Sequence, residues 1–212
     1  GELHTSTMNA YGGGTIGYAN SGAPLSNCST NGAFTCYINH MTNVVADYNK
    51  EPYHYIGGVI GKGDTGINTV VNNEQGALTV YTNTPGDFGG VVSYTLSNCV
   101  KLENKAPMTL DFTYLGQTCN KACFIGGVIS KNYFEIEEGE TADKVSVDGC
   151  TNSGKLTIKN LSYSSYIYTG GIVGYMEEGW NYNDSLIEDC YNDGIIQGDG
   201  DDGGLVGYLD SY

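Results

Sequence analysis

A phrase that begins with two adjacent glycines returns six times along the chain and constrains its fold more than any other feature. The copies begin at residues 13, 57, 89, 126, 170 and 203 and include IGGVIGKG at 56–63 and TGGIVGYM at 169–176. Spacings of 32 to 44 residues are typical of repeat architectures. A nucleotide-binding loop is a poor alternative, because GKGDTG at 61–66 lacks the Gly-Lys-Ser/Thr ending and the helix that a phosphate loop needs.

Each repeat predicts three short strands separated by turns. The Gly-Gly-Ile-Val phrase forms one strand, a second strand ends near a Cys, and a third follows an Asn/Asp-Gly turn, as in KLTI at 155–158. Such units stack into a parallel β-solenoid with a shared core of Ile and Val. We therefore expect an all-β parallel β-helix of about five coils, one domain over residues 1–212, rising ~24 Å at ~4.8 Å per coil. A five-bladed β-propeller has a similar repeat length and is the alternative fold, although each blade needs four strands.

The residues that follow the two glycines predict which side chains are buried. Two positions after the pair the residue is always apolar, the next is Gly or Ser, and the one after that is Tyr or Lys. The residues at this Tyr or Lys position are Tyr18, Lys62, Tyr94, Lys131, Tyr175 and Tyr208. Strict strand alternation would bury the two lysines beside the core valines, which is energetically costly. The small residue therefore marks a bend that turns Tyr or Lys outward.

Charge and hydropathy exclude several classes of partner. The chain has nine lysines, no arginine and 24 acidic residues, for a net charge of -15. Nucleic acid is not expected as a partner, because binding it requires clustered Lys or Arg. No apolar run approaches the ~20 residues that cross a bilayer, so this segment is not expected to insert into a membrane. Since residue 1 is Gly and not Met, we expect a processed or engineered segment of a larger protein from which any export signal has been removed, which is compatible with secretion.

The GGIVGY and GGLVGY phrases, with C-x-N-x-G between them, resemble the GLUG-motif repeats of bacterial surface proteins over nearly the whole chain. The resemblance implies an extracellular, right-handed β-helix, often a segment of a longer adhesin or protease-associated protein. It implies no catalytic residues. The GGVIS and GGVVS copies depart from the pattern.

The longest additions to the repeat follow the phrase in units four and five, at 132–144 and 176–185. Because binding residues concentrate on loops of rigid scaffolds, these insertions are the candidate binding site. The candidate residues are Tyr133, Phe134, Trp180, Tyr182, Glu177 and Glu178. Aromatic side chains rimmed by acids could stack sugar rings or hold a basic peptide, or could simply pack under their own loops. The predicted function is a non-enzymatic, adhesin-like module that binds a glycan or protein of a host or bacterial surface.

A carbohydrate-active β-helix enzyme, lyase or hydrolase, is the alternative function. GDGDDGG at 198–204 gathers Asp199, Asp201 and Asp202, a weak candidate for calcium. The cluster resembles the acid pair of a polygalacturonase only superficially, because the chain has no arginine to hold a uronate. A solvated acidic turn is favoured, and no other cofactor is expected.

The cysteines predict a buried ladder. Cys28, Cys99, Cys150 and Cys190 take the same place in their units, and Val71 takes it in the remaining one. Exchange with Val favours free thiols in the core, with cross-coil disulfides as the alternative for a secreted chain. Cys119 and Cys123 lie off this ladder and could form a local disulfide.

Overall fold

The computed structural model describes residues 1–5, 9–20, 23–39, 53–112, 122–133, 146–160, 167–177, 186–198 and 201–210. These residues form strands and turns, and each strand pairs in parallel with its counterpart in the next repeat. A propeller is excluded, because its blades are separate antiparallel sheets. The predicted parallel β-solenoid is therefore confirmed.

Every coil contributes to four sheets, which we name A to D in chain order. Sheet A contains β1 (Glu2–Thr5), β5 (Phe34–Ile38), β9 (Leu78–Thr82), β13 (Met108–Asp111), β18 (Leu156–Lys159) and β23 (Ile196–Gln197). Sheet B contains β2 (Asn9–Gly13), β6 (Tyr53–Gly57), β10 (Gly86–Gly89), β14 (Cys123–Gly126), β19 (Ile167–Gly170) and β24 (Asp201–Gly203).

Sheet C contains β3 (Ile16–Ala19), β7 (Ile60–Gly63), β11 (Val92–Thr95), β15 (Ile129–Asn132), β20 (Val173–Glu177) and β25 (Val206–Asp210). Sheet D contains β4 (Leu25–Thr30), β8 (Ile67–Asn72), β12 (Cys99–Asn104), β16 (Ser146–Asp148), β17 (Thr151–Asn152), β21 (Leu186–Glu188) and β22 (Tyr191–Asn192). In coils four and five, two short strands replace one. The described strands make five coils and three strands of a sixth.

The prediction of three strands per unit was wrong, because it missed sheet B. The first glycine of each pair ends a sheet B strand and sits at a corner, rather than opening the sheet C strand. A Cβ on Gly57 would lie 1.9 Å from the Ile60 carbonyl oxygen, so the corner is too tight for a side chain. A Cβ on Gly58 would lie 2.1 Å from the Gly90 carbonyl oxygen of the next coil. The first glycine therefore permits the corner, and the second permits close stacking of coils.

Two apolar clusters replace the single shared core that the repeat predicted. One lies between sheets A and B and includes Ile56, Phe88 and Leu110. The other lies between sheets C and D and includes Val92 and Leu102. Two clusters form because the backbones of sheets B and C approach each other closely between them. A Cβ on Gly61 of sheet C would lie 2.7 Å from the carbonyl oxygen and 2.8 Å from the nitrogen of Gly12 in sheet B.

The predicted bend at the small residue is confirmed. Ile60 is buried and Lys62 is half-buried, and the pairing of β7 with β11 passes from Ile60 to Lys62 without a partner for Gly61. Where the small residue is Ser93, its hydroxyl donates to the Asp87 carbonyl oxygen at 2.7 Å. Small residues thus let sheets B and C touch, and they leave Tyr or Lys on the outer side.

The cysteine ladder was partly misaligned. Cys28 pairs with Val70, and Val70 pairs with Leu102, so these residues take the place assigned to Val71 and Cys99. The error at Val71 arises because the turn of coil two is two residues longer than that of coil one: Val70 and Leu78 are the register partners of Cys28 and Phe34. Cys28, Cys99, Cys150 and Cys190 are free thiols, as predicted, although Cys28 and Cys190 are only half-buried. Cys123 donates to the Gly86 carbonyl oxygen at 3.0 Å, and Cys119 lies outside the described residues.

Buried asparagines connect the coils at the end of the sheet D strands. We call them the Asn ladder: Asn72, Asn104, Asn152 and Asn192. Each side-chain amide donates to the side-chain oxygen of the next, at 3.1, 2.9 and 2.8 Å in chain order. The ladder begins in coil two, because Thr30 occupies its position in coil one.

Candidate binding face

Aromatic and lysine side chains line the outer side of the junction between sheets B and C. Sheet B contributes the residue two positions before the first glycine, and sheet C contributes the residue that follows the small one. We call this set the aromatic face: Tyr11, Tyr55, Phe124 and Tyr168 from sheet B, Tyr18, Lys62, Tyr94, Lys131, Tyr175 and Tyr208 from sheet C, and Tyr133 directly after β15.

The rings of the aromatic face contact one another from coil to coil. Tyr11 stacks on Tyr55 with ring centroids 5.2 Å apart and planes 12° apart, and Phe124 stacks on Tyr168 at 5.7 Å and 16°. Rings also contact across the junction, as Tyr11 does with Tyr18 at 5.4 Å. Tyr11 and Tyr18 remain 42% and 46% exposed. The face therefore meets solvent at its two ends, where Tyr208 is also 38% exposed, whereas Phe124 and Tyr175 within it are buried.

Lysines take two positions of the aromatic face, and aromatic rings surround each ammonium group. The Lys62 ammonium lies 5.4 Å from the Tyr18 ring centroid and 5.1 Å from that of Tyr94, and 3.5 Å from the Asp64 carboxylate. Lys131 lies 4.6 Å from the Tyr175 ring and 5.1 Å from that of Phe124. Cation–π contacts of this kind are favourable. They bring positive charge to one surface of a strongly acidic chain.

A buried acid lies beneath the middle of the face. Asp87 takes the position that an aromatic residue holds in neighbouring coils, and it is 1% exposed. The Tyr53 hydroxyl donates to Oδ1 of Asp87, whereas Oδ2 has no hydrogen-bond partner within the described ranges. Burial raises the pKa of Asp87 to about 7, and the nearby Lys131 opposes part of that rise. Asp87 therefore changes charge near neutral pH.

Two of the six residues predicted as a binding patch are described. Tyr133 belongs to the aromatic face, where it stacks on Tyr94 at 6.4 Å. Asn132 pairs with Met176, so Tyr133 and Glu177 follow register neighbours on coils four and five. Phe134, Trp180, Tyr182 and Glu178 lie outside the described residues, so the rest of the patch stays a prediction.

Glu177 takes part in an acidic cross-strand pair. It is the register partner of Asp210, and the Tyr175 hydroxyl lies 3.0 Å from Oε2 of Glu177 and 3.0 Å from Oδ2 of Asp210. One phenol donates a single proton, so only one of these contacts is a donated hydrogen bond at a time. The contacts with Glu177 and Asp210 reinforce the effect of burial, which raises the pKa of Tyr175.

The acidic turn proposed for calcium is only partly described. Asp202 is exposed in β24, Asp201 precedes it in the same strand, and Asp199 lies outside the described residues. Within the described ranges no three His, Cys, Asp or Glu residues are grouped to hold a metal. Calcium binding by this turn therefore stays a prediction.

The sequence interpretation missed the sheet B half of the aromatic face. The signal was present, because Tyr11, Tyr55, Phe124 and Tyr168 all stand two positions before the first glycine. It was missed because the strand that carries them was not predicted. The repeated phrase was interpreted as scaffold alone, whereas its outward residues form the larger part of this surface.

Searches with the sequence against protein-family models, curated proteins and solved structures find no match. The resemblance to the GLUG-motif repeats therefore stays a prediction. Across the described part of the chain, no helix is long and apolar enough to span a membrane.

Proposed function

We propose that this chain is a non-enzymatic β-solenoid module of an extracellular or cell-surface protein, and that it binds a neutral glycan along the aromatic face. The observation that carries the proposal is the continuity of the face across the coils. A ladder of rings suits an extended chain of repeating units better than one small substrate, which proteins usually enclose in a concave pocket.

The chemistry of the face favours a sugar chain. Tyrosine rings offer apolar area, and tyrosine hydroxyls and lysine ammonium groups donate hydrogen bonds to sugar oxygens. An anionic glycan is disfavoured, because the net charge is -15 and the chain has no arginine for bidentate contacts with carboxylate or sulfate. A host or bacterial surface protein is the alternative occupant.

A glycan array probed with the whole chain tests the proposal. Tyr18→Ala removes one of the most exposed rings of the face, and Tyr37→Ala is a matched control. Tyr37 is 37% exposed and stacks on Tyr81 at 5.1 Å, but it lies on sheet A. We expect Tyr18→Ala to weaken binding about fivefold or more, corresponding to ~1 kcal/mol of lost ring contact. Tyr37→Ala should bind as the parent does.

Three outcomes contradict this assignment. If the parent chain binds no glycan on the array, the glycan proposal fails and a protein partner is favoured. If Tyr37→Ala weakens binding and Tyr18→Ala does not, the site lies on sheet A. If binding requires an acidic sugar, the charge argument is wrong.

The pair formed by Glu177 and Asp210 favours a second candidate, a carbohydrate-active enzyme. Both carboxylate oxygens lie 3.0 Å from the Tyr175 hydroxyl, so they are at most twice that distance apart. Retaining glycosidases hold their two carboxyl groups ~5 Å apart. Release of reducing sugars from a panel of polysaccharides, lost in both Glu177→Gln and Asp210→Asn, would favour this candidate. Turnover by neither the parent nor the variants would leave the pair without a catalytic role.

A further inference from the structure

Coils four and five place two cysteines at the same position of sheet D. Thr151 pairs with Tyr191 in register, and Cys150 and Cys190 directly precede them. The earlier coils carry Cys28, Val70 and Leu102 at this position. Among the described residues, Cys150 and Cys190 are therefore the thiols that meet on adjacent coils at this place.

The two side chains lie close together and point to the same interior. Cys150 is fully buried in the cluster between sheets C and D, and Cys190 packs against that cluster while half-buried. Sγ of Cys190 lies 3.3 Å from the Val147 carbonyl oxygen and thus leans toward coil four. Adjacent strands lie ~4.8 Å apart, which is within the ~4.4–6.8 Å that separates Cα atoms in disulfides.

One member of the pair is suited to attack a disulfide. The neighbouring Cys150 thiol lowers the pKa of Cys190, although burial and the acids Asp148 and Asp189 oppose this effect. The Cys190 thiol and burial raise the pKa of Cys150. Because the thiolate is the nucleophile, the half-buried Cys190 is the thiol expected to react first.

We propose that Cys150 and Cys190 form a cross-coil disulfide when the chain meets a small-molecule disulfide such as glutathione disulfide. The Cys190 thiolate attacks one sulfur, the small-molecule S–S bond breaks, and one glutathione thiolate leaves. Cys150 then loses its proton to solvent and attacks the Cys190 sulfur, which releases the second glutathione. Two protein thiols are oxidised and one glutathione disulfide is reduced to two thiols.

The disulfide would fasten an outer coil that has less packing than its neighbours. Tyr191 in coil five and Ile195, directly before the last sheet A strand, are 63% and 64% exposed, whereas Cys150 and Leu156, one coil earlier along sheets D and A, are buried. A bond between Cys150 and Cys190 closes a loop of about 40 residues and restricts the unfolded chain. The oxidised form therefore resists opening of this end of the solenoid.

Oxidation of the native chain with glutathione disulfide, followed by alkylation and peptide mapping by mass spectrometry, tests the proposal. We expect a linked peptide pair that contains Cys150 and Cys190, and a Tm about 5–10 °C above that of the reduced chain. Cys190→Val should lose both effects and still fold, because Val70 occupies the same place in coil two. Cys28→Val is the matched control, since its register neighbour is Val70.

Recovery of Cys190 as a stable mixed disulfide with glutathione, with Cys150 unlinked, would overturn the proposal. An equal Tm increase in oxidised Cys190→Val would overturn the role in holding coil five. The peptide map of the parent chain decides the linkage even if a variant fails to fold.

Discussion

Replacement of Asn104 by alanine should destabilise the solenoid more than any exposed substitution. Asn104 is 1% exposed and lies in the middle of the Asn ladder. Its amide donates to Asn152 Oδ1 at 2.9 Å and to the Ala106 carbonyl oxygen at 3.1 Å. Its oxygen accepts from Asn72 at 3.1 Å and from the Ala106 N–H at 3.3 Å. Asn104→Ala removes all four hydrogen bonds.

The expected loss of unfolding free energy depends on which of these groups keep another hydrogen-bond partner. Asn72 still donates to the Gly90 carbonyl oxygen at 2.9 Å, and Asn152 still accepts from the Gly154 N–H at 3.2 Å. The N–H and carbonyl of the buried Ala106 lose the Asn104 contacts at a site closed to water. At ~1 kcal/mol per net hydrogen bond and ~1–3 kcal/mol for a buried group left unpaired, we expect a loss of about 3–5 kcal/mol.

Urea unfolding followed by far-UV circular dichroism measures this loss as a lower midpoint at an unchanged slope. Asn192→Ala is the control, because Asn192 belongs to the same ladder but lies half-buried in coil five, where water can replace its partners. We expect Asn192→Ala to cost about 1 kcal/mol.

Equal and small effects of the two substitutions would refute the reasoning. They would mean that the hydrogen bonds of the buried ladder add little to stability, and that the asparagines matter only for fitting the corner. A large effect of Asn192→Ala alone would place the weak point of the solenoid in its outer coil.

Three further predictions follow from single sites. Oδ1 of Asn72 is buried without a hydrogen-bond donor among the described residues. Thr30→Asn should extend the Asn ladder into coil one and raise the free energy of unfolding by ~1 kcal/mol, seen as a higher urea midpoint. An unchanged midpoint would mean that coil one cannot place the amide. Because the pKa of Asp87 rises from 3.8 to about 7 on folding, its contribution to stability should be greatest below pH 4 and fall by about 4 kcal/mol as the pH rises to 7. Asp87→Asn should flatten that slope and be the more stable form at pH 8, and an unchanged slope would contradict the assignment. A Cβ on Gly126 would lie 1.7 Å from the Ile129 carbonyl oxygen, so Gly126→Ala should cost at least ~3 kcal/mol in thermal unfolding, whereas Gly32→Ala, with open space around it, should be tolerated.

Much of the fold could be predicted because the copies of the repeat can be aligned with one another. Six aligned glycine pairs predict six equivalent corners, and the structure pairs Gly13, Gly57, Gly89, Gly126, Gly170 and Gly203 in one register. The bend after Ile60 could be predicted because a lysine next to a core position forces a break in alternation. Sheet B could not be predicted, because no turn residue separates its strands from the glycine pairs in the sequence.

The candidate site was harder to predict than the fold. Tyr133 was selected from an insertion, but its partners Tyr94 and Lys131 come from the repeated phrase, which the sequence pattern marks as scaffold. The aromatic face exists because equivalent residues of successive coils, 32 to 44 residues apart in sequence, come within ~5 Å of each other. Asp87 could not be identified from the sequence, because an acid at a position that is aromatic in neighbouring repeats indicates neither that it is buried nor that its pKa is raised.

The sequence by itself determined the repeat, the parallel stacking and the bend after each core residue of sheet C, because small residues and apolar residues at fixed spacing allow few other arrangements. Only the tertiary structure decided that there are two apolar clusters instead of one, and which coil neighbours meet. Those outcomes depend on how closely the backbones of sheets B and C approach and on turn lengths, such as the longer turn between Val70 and Leu78, that decide which residues pair. Contacts such as Cys150 with Cys190 and Lys62 with Tyr94 follow from that register, and register is a property of the stacked coils rather than of any one repeat.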